Sequence, residues 1–168
     1  MAFLGIDLGT SGLRVLLVDQ DGTTIGAAER SYNSVHDQSG WSEQDPADWI
    51  AALEEAVAEL RTRHPEFADL KGAGVAGHMH GATLLDKDGA VIRPCILWND
   101  TRAHAEAEAL DQLPGMRDVS GNIVFPGFTA PKLAWVKAHE PENFARVAKV
   151  VLPAGYLNHY LTGAYVAD

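Results

Sequence analysis

The feature that most constrains this chain is its first thirty residues, in which a glycine-rich turn separates two apolar segments. Residues 2–7 and 13–19 are both strand-like, and the turn 8–12 (LGTSG) lies between them. Asp-Gly at 21–22 is a strong hairpin signal, so a third strand is predicted over 23–30. The nearly continuous apolar run at 13–19 favours a second strand that is covered on both faces.

A helix is predicted after the polar, aperiodic segment 31–44, which is long enough to suggest a functional loop or a mobile lid. Asp45 suits the N-cap and Pro46 the first helical position. The apolar residues that recur at helical spacing are Ile50, Leu53, Val57 and Leu60.

Beyond residue 65, short apolar runs alternate with helical patterns. A hairpin is predicted around Asp86–Gly89, and Thr101 is the predicted cap of the helix that begins at residue 103. Helices are predicted at 103–113, 131–138, 142–148 and 155–161, and strand-like runs lie at 94–98, 150–152 and 164–167. The pattern predicts an α/β domain with a mixed central sheet flanked by helices.

Charge and cysteine content narrow the classes of partner. The formal net charge of -10 disfavours nucleic acid or an anionic membrane as the main partner. Cys95 is the single cysteine, so no intramolecular disulfide forms, and a cytoplasmic setting is the expectation. No apolar run approaches the roughly 20 residues of a membrane-spanning helix.

The turn in residues 5–14 (GIDLGTSGLR) has the composition of an anion site. Glycines let backbone N–H groups approach an anion closely, and Thr10 and Ser11 add hydroxyl donors. Asp7, at the end of the first strand, can hold Mg²⁺. Neither common phosphate signature is present. The alternative is an ordinary hairpin turn whose amides bond to Asp7.

Two further groups carry possible binding chemistry. His78 and His80, at i and i+2, would point the same way in an extended segment and chelate a metal, although no third ligand is evident. The better use of such a histidine is to donate a hydrogen bond to a ligand hydroxyl. Trp98 begins the string WNDTR at 98–102, which suits a polyhydroxylated ligand. The alternative for this string is a capped helix start with a surface ion pair.

Together these motifs resemble the FGGY family of carbohydrate kinases, which includes glycerol kinase, gluconokinase and xylulokinase. The resemblance to the xylulokinase branch runs through the whole chain. It is carried by GIDLGTSGLRV at 5–15, WSEQDPADW at 41–49, MHGATLLD at 79–86, RPCILWNDTR at 93–102, SGNIVFPGFTAPKLAWVKAHEP at 120–141 and VLPAGYLNHYLTG at 151–163.

The resemblance implies an actin-like, ribonuclease H-like fold and a two-domain enzyme that uses ATP and Mg²⁺. Residues 1–168 would be its amino-terminal sugar-binding domain, without the ATP-binding domain that carries the general base. The full-length enzyme would convert a ketopentose, D-xylulose first among them, to D-xylulose 5-phosphate. The chain alone would be inactive, and its exposed inner face would favour a homodimer.

The resemblance also assigns roles to individual residues. Asp7 would lie near Mg²⁺ and the γ-phosphate. The phosphate side would consist of Gly9, Thr10, Ser11, Gly12 and Arg14. The sugar side would consist of Met79, His80, Trp98, Asn99, Asp100 and Arg102. His78 stands where the family is expected to have glutamine, so the resemblance assigns no amide contact to this position.

Two other functions share part of this pattern. An actin-like ATPase domain would have the opening turn but no use for His80 or for residues 98–102. A non-catalytic sugar-binding module would have the same sequence as a kinase domain. Stabilisation by pentuloses separates the ATPase from the sugar-binding proteins.

Overall fold

The structure is a computed structural model, and it describes residues 1–166 of the 168-residue chain. The strands are β1 (Ala2–Leu8), β2 (Gly12–Asp19), β3 (Thr24–Ser31), β4 (Glu43–Gln44), β5 (Leu70–Gly77), β6 (Thr83–Leu85), β7 (Cys95–Ile96) and β8 (Lys149–Val151). The helices are α1 (Pro46–Arg63), a 3₁₀ turn (Pro65–Asp69), α2 (His104–Asp111), α3 (Met116–Ser120), α4 (Thr129–His139), α5 (Pro141–Arg146) and α6 (Pro153–Thr162).

The central sheet has four strands in the order β3-β2-β1-β5. β1 runs antiparallel to β2 and parallel to β5. Gly22 occupies the turn between β2 and β3 with φ +81°, a conformation that favours glycine. The predicted mixed sheet and its three opening strands are confirmed. Because β1 and β5 are parallel, the segments that follow Leu8 and Gly77 leave the sheet at the same edge.

The main core lies on one face of the sheet. The side chains of β1 alternate between buried and exposed, and helix α1 packs onto the buried face through residues such as Trp49, Leu53 and Leu60. On β2, Arg14 is exposed, and Leu16 is only half-buried. The prediction that β2 is covered on both faces is therefore wrong for residues 1–166. An apolar strand indicates that burial of both faces is favourable, but it does not show which part of a protein packs on each face.

Helices α1 and α2 lie where the sequence predicts them, but only the predicted cap of α1 is present. The Asp45 carboxylate accepts a hydrogen bond from the N–H of Ala47 at 2.9 Å, which confirms the predicted cap. Helix α2 begins at His104 without a side-chain cap. Thr101 instead donates its hydroxyl to the carbonyl of Gly40 at 3.3 Å, so the predicted Thr101 cap is wrong.

Three features of the structure differ from the sequence-based predictions: helix α3, the segment 164–166 and the segment 31–44. Helix α3 was not predicted, because its five residues are too few to show helical periodicity. The strand expected at 164–167 is not formed over 164–166, and Ala167 lies outside the described residues. The segment 31–44 is not a free lid, since Glu43 pairs with Ile96 and the N–H of Thr101 donates to the carbonyl of Gly40 at 2.8 Å.

A second, smaller core supports the loops next to the sheet edge. It contains Ala82, Leu84, Ile96, Ala103, Trp135 and Val136. It lies beside two short antiparallel pairs, β4 with β7 and β6 with β8. In the part of the chain that the structure describes, no helix has the length and apolar character of a transmembrane segment.

Candidate functional site

The turn between β1 and β2, called the glycine turn and comprising residues 9–12, is held by its carbonyl groups. The N–H of Gly9 donates to the carbonyl of Gly12 at 3.0 Å. The Tyr32 hydroxyl donates to the carbonyl of Gly9 at 2.6 Å, and the Gln44 amide donates to the carbonyl of Thr10 at 2.6 Å. These bonds turn the carbonyls into the protein and fix the shape of the turn.

The amides at the tip of the glycine turn remain available. Within residues 1–166, the N–H groups of Thr10 and Ser11 donate to no backbone or side-chain acceptor. A Cβ at Gly12 would lie 2.6 Å from the carbonyl oxygen of Arg30, so the tight turn requires glycine there. Two free amides and two hydroxyls, at a turn whose residue Ser11 is exposed, are suited to binding an anion.

Asp7 and Arg14 face each other across β1 and β2 next to this turn. Asp7 is exposed, and among the described residues its carboxylate forms no hydrogen bond or ion pair. The alternative in which Asp7 bonds to the turn amides is therefore not observed. The Arg14 guanidinium pairs with Glu29 at 3.0 Å. Burial, and to a lesser extent the Asp7 charge, raises the pKa of Tyr32 well above its ordinary value.

The tryptophan loop, residues 98–102, contacts the glycine turn directly. The indole N–H of Trp98 donates to Thr10 Oγ1 at 3.0 Å. Trp98 is 43% exposed, and Asn99 is also exposed. The N–H of His78 donates to the carbonyl of Leu8 at 2.9 Å. The glycine turn, which the sequence assigned to phosphate, and the tryptophan loop, which it assigned to sugar, therefore lie side by side at one edge of the sheet.

Within the tryptophan loop, the side chains of Asp100 and Arg102 point into the protein. The Arg102 guanidinium donates to the Asp100 carboxylate in a bidentate pair, with Nη2 at 2.7 Å, and the two side chains are 1% and 0% exposed. The N–H of Ser42 donates to the same carboxylate at 2.6 Å. The guanidinium carbon lies 3.7 Å from the centre of the Trp41 ring and 5.0 Å from that of Trp135.

The sequence assigned both ionic side chains to the sugar side of a cleft. The structure instead buries both side chains, with Asp100 paired to Arg102 and Arg102 paired also to Glu43. The exposed residues of this loop are Trp98, Asn99 and Thr101, and the sequence assigned the first two of them to the sugar side.

The segment after β5 turns sharply at residues 79–81, called the histidine turn. Met79 is 54% exposed, and His80 is half-buried with φ +61°. The N–H of Gly81 donates to the carbonyl of Met79 at 2.8 Å. The segment is therefore not extended, and the geometric premise for chelation by the two histidines is wrong. Within residues 1–166, no three or more His, Cys, Asp or Glu side chains are grouped to hold a metal ion.

His78 is buried without any hydrogen-bond partner for its ring nitrogens among the described residues. It packs edge-on against Trp49 at 5.5 Å between ring centres. Burial, and secondarily the positive charge of Lys132, lowers the pKa of His78 to about 4. His78 and Met79 line a cavity of about 650 Å³ whose other walls come from β5, β8, helices α4 and α6 and the residues on either side of α6.

Lys132 is a contributor that the sequence did not reveal. Its side chain on helix α4 is fully buried, and Nζ donates to the carbonyl of His80 at 2.7 Å and to that of Gly127 at 2.6 Å. Burial lowers the pKa of Lys132 to about 8. The available signal was a lysine between Pro131 and Leu133, within an otherwise apolar stretch of a predicted helix.

Comparison with known proteins finds relatives over nearly the whole chain. Residues 2–168 match the model of the amino-terminal domain of the FGGY family of carbohydrate kinases. The xylulose kinase of Escherichia coli is 45% identical over 167 residues, which are 99% of this chain and 34% of that protein. The chain thus spans about a third of the length of the curated relatives that it matches.

Solved structures of such enzymes superimpose closely. The crystal structure titled as a xyloylose kinase from Brucella ovis matches with a TM-score of 0.95 and 54% identity, over 97% of this chain and 34% of that chain. The xylulose kinase from Rhodospirillum rubrum matches with a TM-score of 0.92 and 32% identity, over 100% of this chain and 35% of that chain.

The expected actin-like, ribonuclease H-like fold, with a mixed sheet and flanking helices, is thereby confirmed. The sequence resemblance and the family match concern the same residues. The chain belongs to the FGGY family of carbohydrate kinases.

Proposed function

We propose that residues 1–168 form the sugar-binding amino-terminal domain of an ATP-dependent kinase. The acceptor that we propose is a ketopentose, D-xylulose, and the product is D-xylulose 5-phosphate. The resemblance to xylulose kinases supports this acceptor. We assign the adenosine site and the general base to the part of those relatives that this chain does not match, and we expect the chain alone to transfer no phosphoryl group.

The observation that carries the proposal is the hydrogen bond between Trp98 and Thr10. It joins a turn with free amides to a loop with an exposed aromatic ring. Phosphoryl transfer from ATP to a sugar requires a phosphate and a hydroxyl to be held side by side. An anion at Ser11 and a sugar on Trp98 would occupy neighbouring positions.

The residues of the glycine turn fit the cofactor chemistry. The unpaired Asp7 carboxylate would hold Mg²⁺ together with water and phosphate oxygens, since a single carboxylate is a usual protein contribution to such a site. The N–H groups of Thr10 and Ser11 would donate to a phosphate oxygen. Because Thr10 Oγ1 accepts from Trp98, its own hydroxyl hydrogen remains free to donate. ATP supplies the phosphoryl group.

The residues on the other side fit a sugar. The exposed ring of Trp98 offers a flat apolar surface for C–H groups, and Asn99 offers both donors and acceptors. His80 adds a ring N–H or an acceptor nitrogen, and Met79 adds an apolar contact. The actin-like ATPase alternative has no use for these exposed groups.

The test is the change in melting temperature of the chain with D-xylulose, D-ribulose, glycerol and ATP-Mg²⁺. We expect D-xylulose to raise the melting temperature most, because it is the proposed acceptor. A ligand at about 100 times its Kd stabilises the folded state by about 2.7 kcal/mol. The variant Trp98→Ala should lose this response. Leu113→Ala, which removes an exposed apolar side chain next to helix α2, should keep it.

Equal responses to all polyols, or none to D-xylulose at millimolar concentration, would refute the sugar assignment. A response to ATP-Mg²⁺ alone would favour the ATPase alternative.

We also propose that the chain is cytoplasmic and self-associates. The surface proposed for self-association is the less covered face of the central sheet, where Phe3 is exposed and Leu16 is half-buried. The cytoplasmic setting is consistent with Cys95, which is buried; burial raises the pKa of its thiol to about 12, which suits an inert structural thiol. Analytical ultracentrifugation of Phe3→Lys against the unmodified chain tests the dimer.

A further inference from the structure

His80 has an unusual backbone conformation. Among residues 1–166 it is the only residue other than glycine with a positive φ, at +61°. The N–H of Gly81 closes a three-residue turn onto the carbonyl of Met79 at 2.8 Å, with His80 at its centre. A turn of this kind with a positive central φ is rare and strained. Such strain persists only where surrounding contacts over-determine the conformation.

Two donors from helix α4 supply such contacts. Lys132 Nζ donates to the carbonyl oxygen of His80 at 2.7 Å, and Thr129 Oγ1 donates to the same oxygen at 3.2 Å. A fixed carbonyl oxygen fixes the peptide plane between residues 80 and 81. The Phe128 ring lies 4.8 Å from the His80 ring and limits the side chain as well.

The same amine also reaches a second loop. Lys132 Nζ donates to the carbonyl of Gly127 at 2.6 Å. Gly127 in turn lies against the backbone of Trp98, since a Cβ on it would be 2.5 Å from the Trp98 carbonyl oxygen. One ammonium group therefore connects the histidine turn to the loop that borders Trp98.

Burial of this ammonium is costly, which argues that the contact is specific. Lys132 is fully buried, and within residues 1–166 its hydrogen-bond acceptors are two neutral carbonyls rather than a carboxylate. An apolar side chain of similar length would fill the same space without the cost of removing a charge from water.

We propose that Lys132 is a positioning residue that holds His80 in its left-handed conformation and sets its distance from Trp98. The role of these two residues as sugar contacts rests on the proposed function. The clamp on the backbone of His80 does not.

The experiment compares Lys132→Met with Lys137→Met in the full chain. Lys137 lies on the same helix and is exposed, so it is a matched control. The readout is the nuclear Overhauser effect between the N–H and Hα of His80, which is strong for a positive φ. We expect it to weaken in Lys132→Met and to stay unchanged in Lys137→Met. We also expect D-xylulose affinity to fall about tenfold only in Lys132→Met.

Thr129→Val provides a second variant that leaves the charge in place. It removes the weaker bond to the same carbonyl, so we expect a smaller loss in both readouts. If Lys132→Met does not fold, Thr129→Val decides. An unchanged His80 signal in a folded Lys132→Met, or in Thr129→Val when the first variant is unfolded, overturns the proposal. A wild-type chain with the His80 signal but no D-xylulose binding refutes only the proposed function.

Discussion

The indole N–H of Trp98 donates to the hydroxyl oxygen of Thr10 at 3.0 Å, although 88 residues separate the two in sequence. Thr10 belongs to a turn between the first two strands, and Trp98 follows a short strand of another sheet. The bond therefore fixes the spacing between two elements that the proposed function requires to work together.

The energy of this bond can be measured with a double-mutant cycle. Trp98→Phe and Thr10→Val each remove one partner and keep most of the side-chain volume. We expect a coupling of about 0.5–1.5 kcal/mol in the free energy of unfolding, as for a single hydrogen bond. Urea denaturation of both single variants and the double variant provides the measurement. Trp98→Phe combined with Thr62→Val should be additive, and additivity in the first pair would contradict the contact.

The close approach of two loops gives a second prediction. In Gly127→Ala, the new Cβ would lie 2.5 Å from the Trp98 carbonyl oxygen, so one backbone must move. We expect a loss of about 1–3 kcal/mol in the free energy of unfolding, as for other overpacking substitutions. Gly74→Ala is the control, because no atom lies within 4 Å of its added Cβ. Equal stability of both variants would contradict the packing of these loops.

The buried ion pair between Arg102 and Asp100 gives a third prediction. Arg102→Lys keeps the charge but loses the bidentate contact with Asp100 and the stacking on Trp41. We expect it to cost about 2–4 kcal/mol in the free energy of unfolding, since a buried charge is left poorly paired. Arg117→Lys, in an exposed pair with Asp111, should cost less than about 1 kcal/mol. Chemical denaturation measures both losses. Equal losses in Arg102→Lys and Arg117→Lys would contradict the burial of Arg102.

The pKa of His78 predicts a dependence of stability on pH. Because burial lowers its pKa to about 4 from 6.5, the unfolded chain binds more protons between these two pH values. Stability should therefore rise from pH 4 to 6.5 and be lost as the pH falls, by up to about 3 kcal/mol from this group. His78→Gln should flatten this part of the profile, and parallel profiles for the two proteins would contradict the shift.

The parts of the fold that the sequence predicted correctly are those fixed by neighbouring residues. Asp45 and Pro46 start helix α1 through contacts within one turn, and Gly22 permits its hairpin by its own φ. Thr101 was assigned wrongly because its hydroxyl bonds to Gly40, which lies 61 residues away. Rules based on neighbouring residues cannot predict that a hydroxyl will bond to a distant carbonyl instead of capping the nearby helix.

The site shows the same division. Residue types alone indicated an anion turn at Thr10 and a sugar-type loop at Trp98, and the structure brings the two into contact. They did not indicate that Arg102 would be enclosed, because Trp41 and Trp135 come from distant segments. They also gave no role to Lys132, whose acceptors are backbone carbonyls that have no sequence signature.

The exposure of Trp98 provides the chain with an optical reporter. The chain has four tryptophans; Trp49 and Trp135 are buried, and Trp41 is partly covered by a guanidinium. The red edge of the emission spectrum should therefore come mainly from Trp98. Titrations that follow this emission would monitor the surface between the two loops directly, without a label or a coupled enzyme.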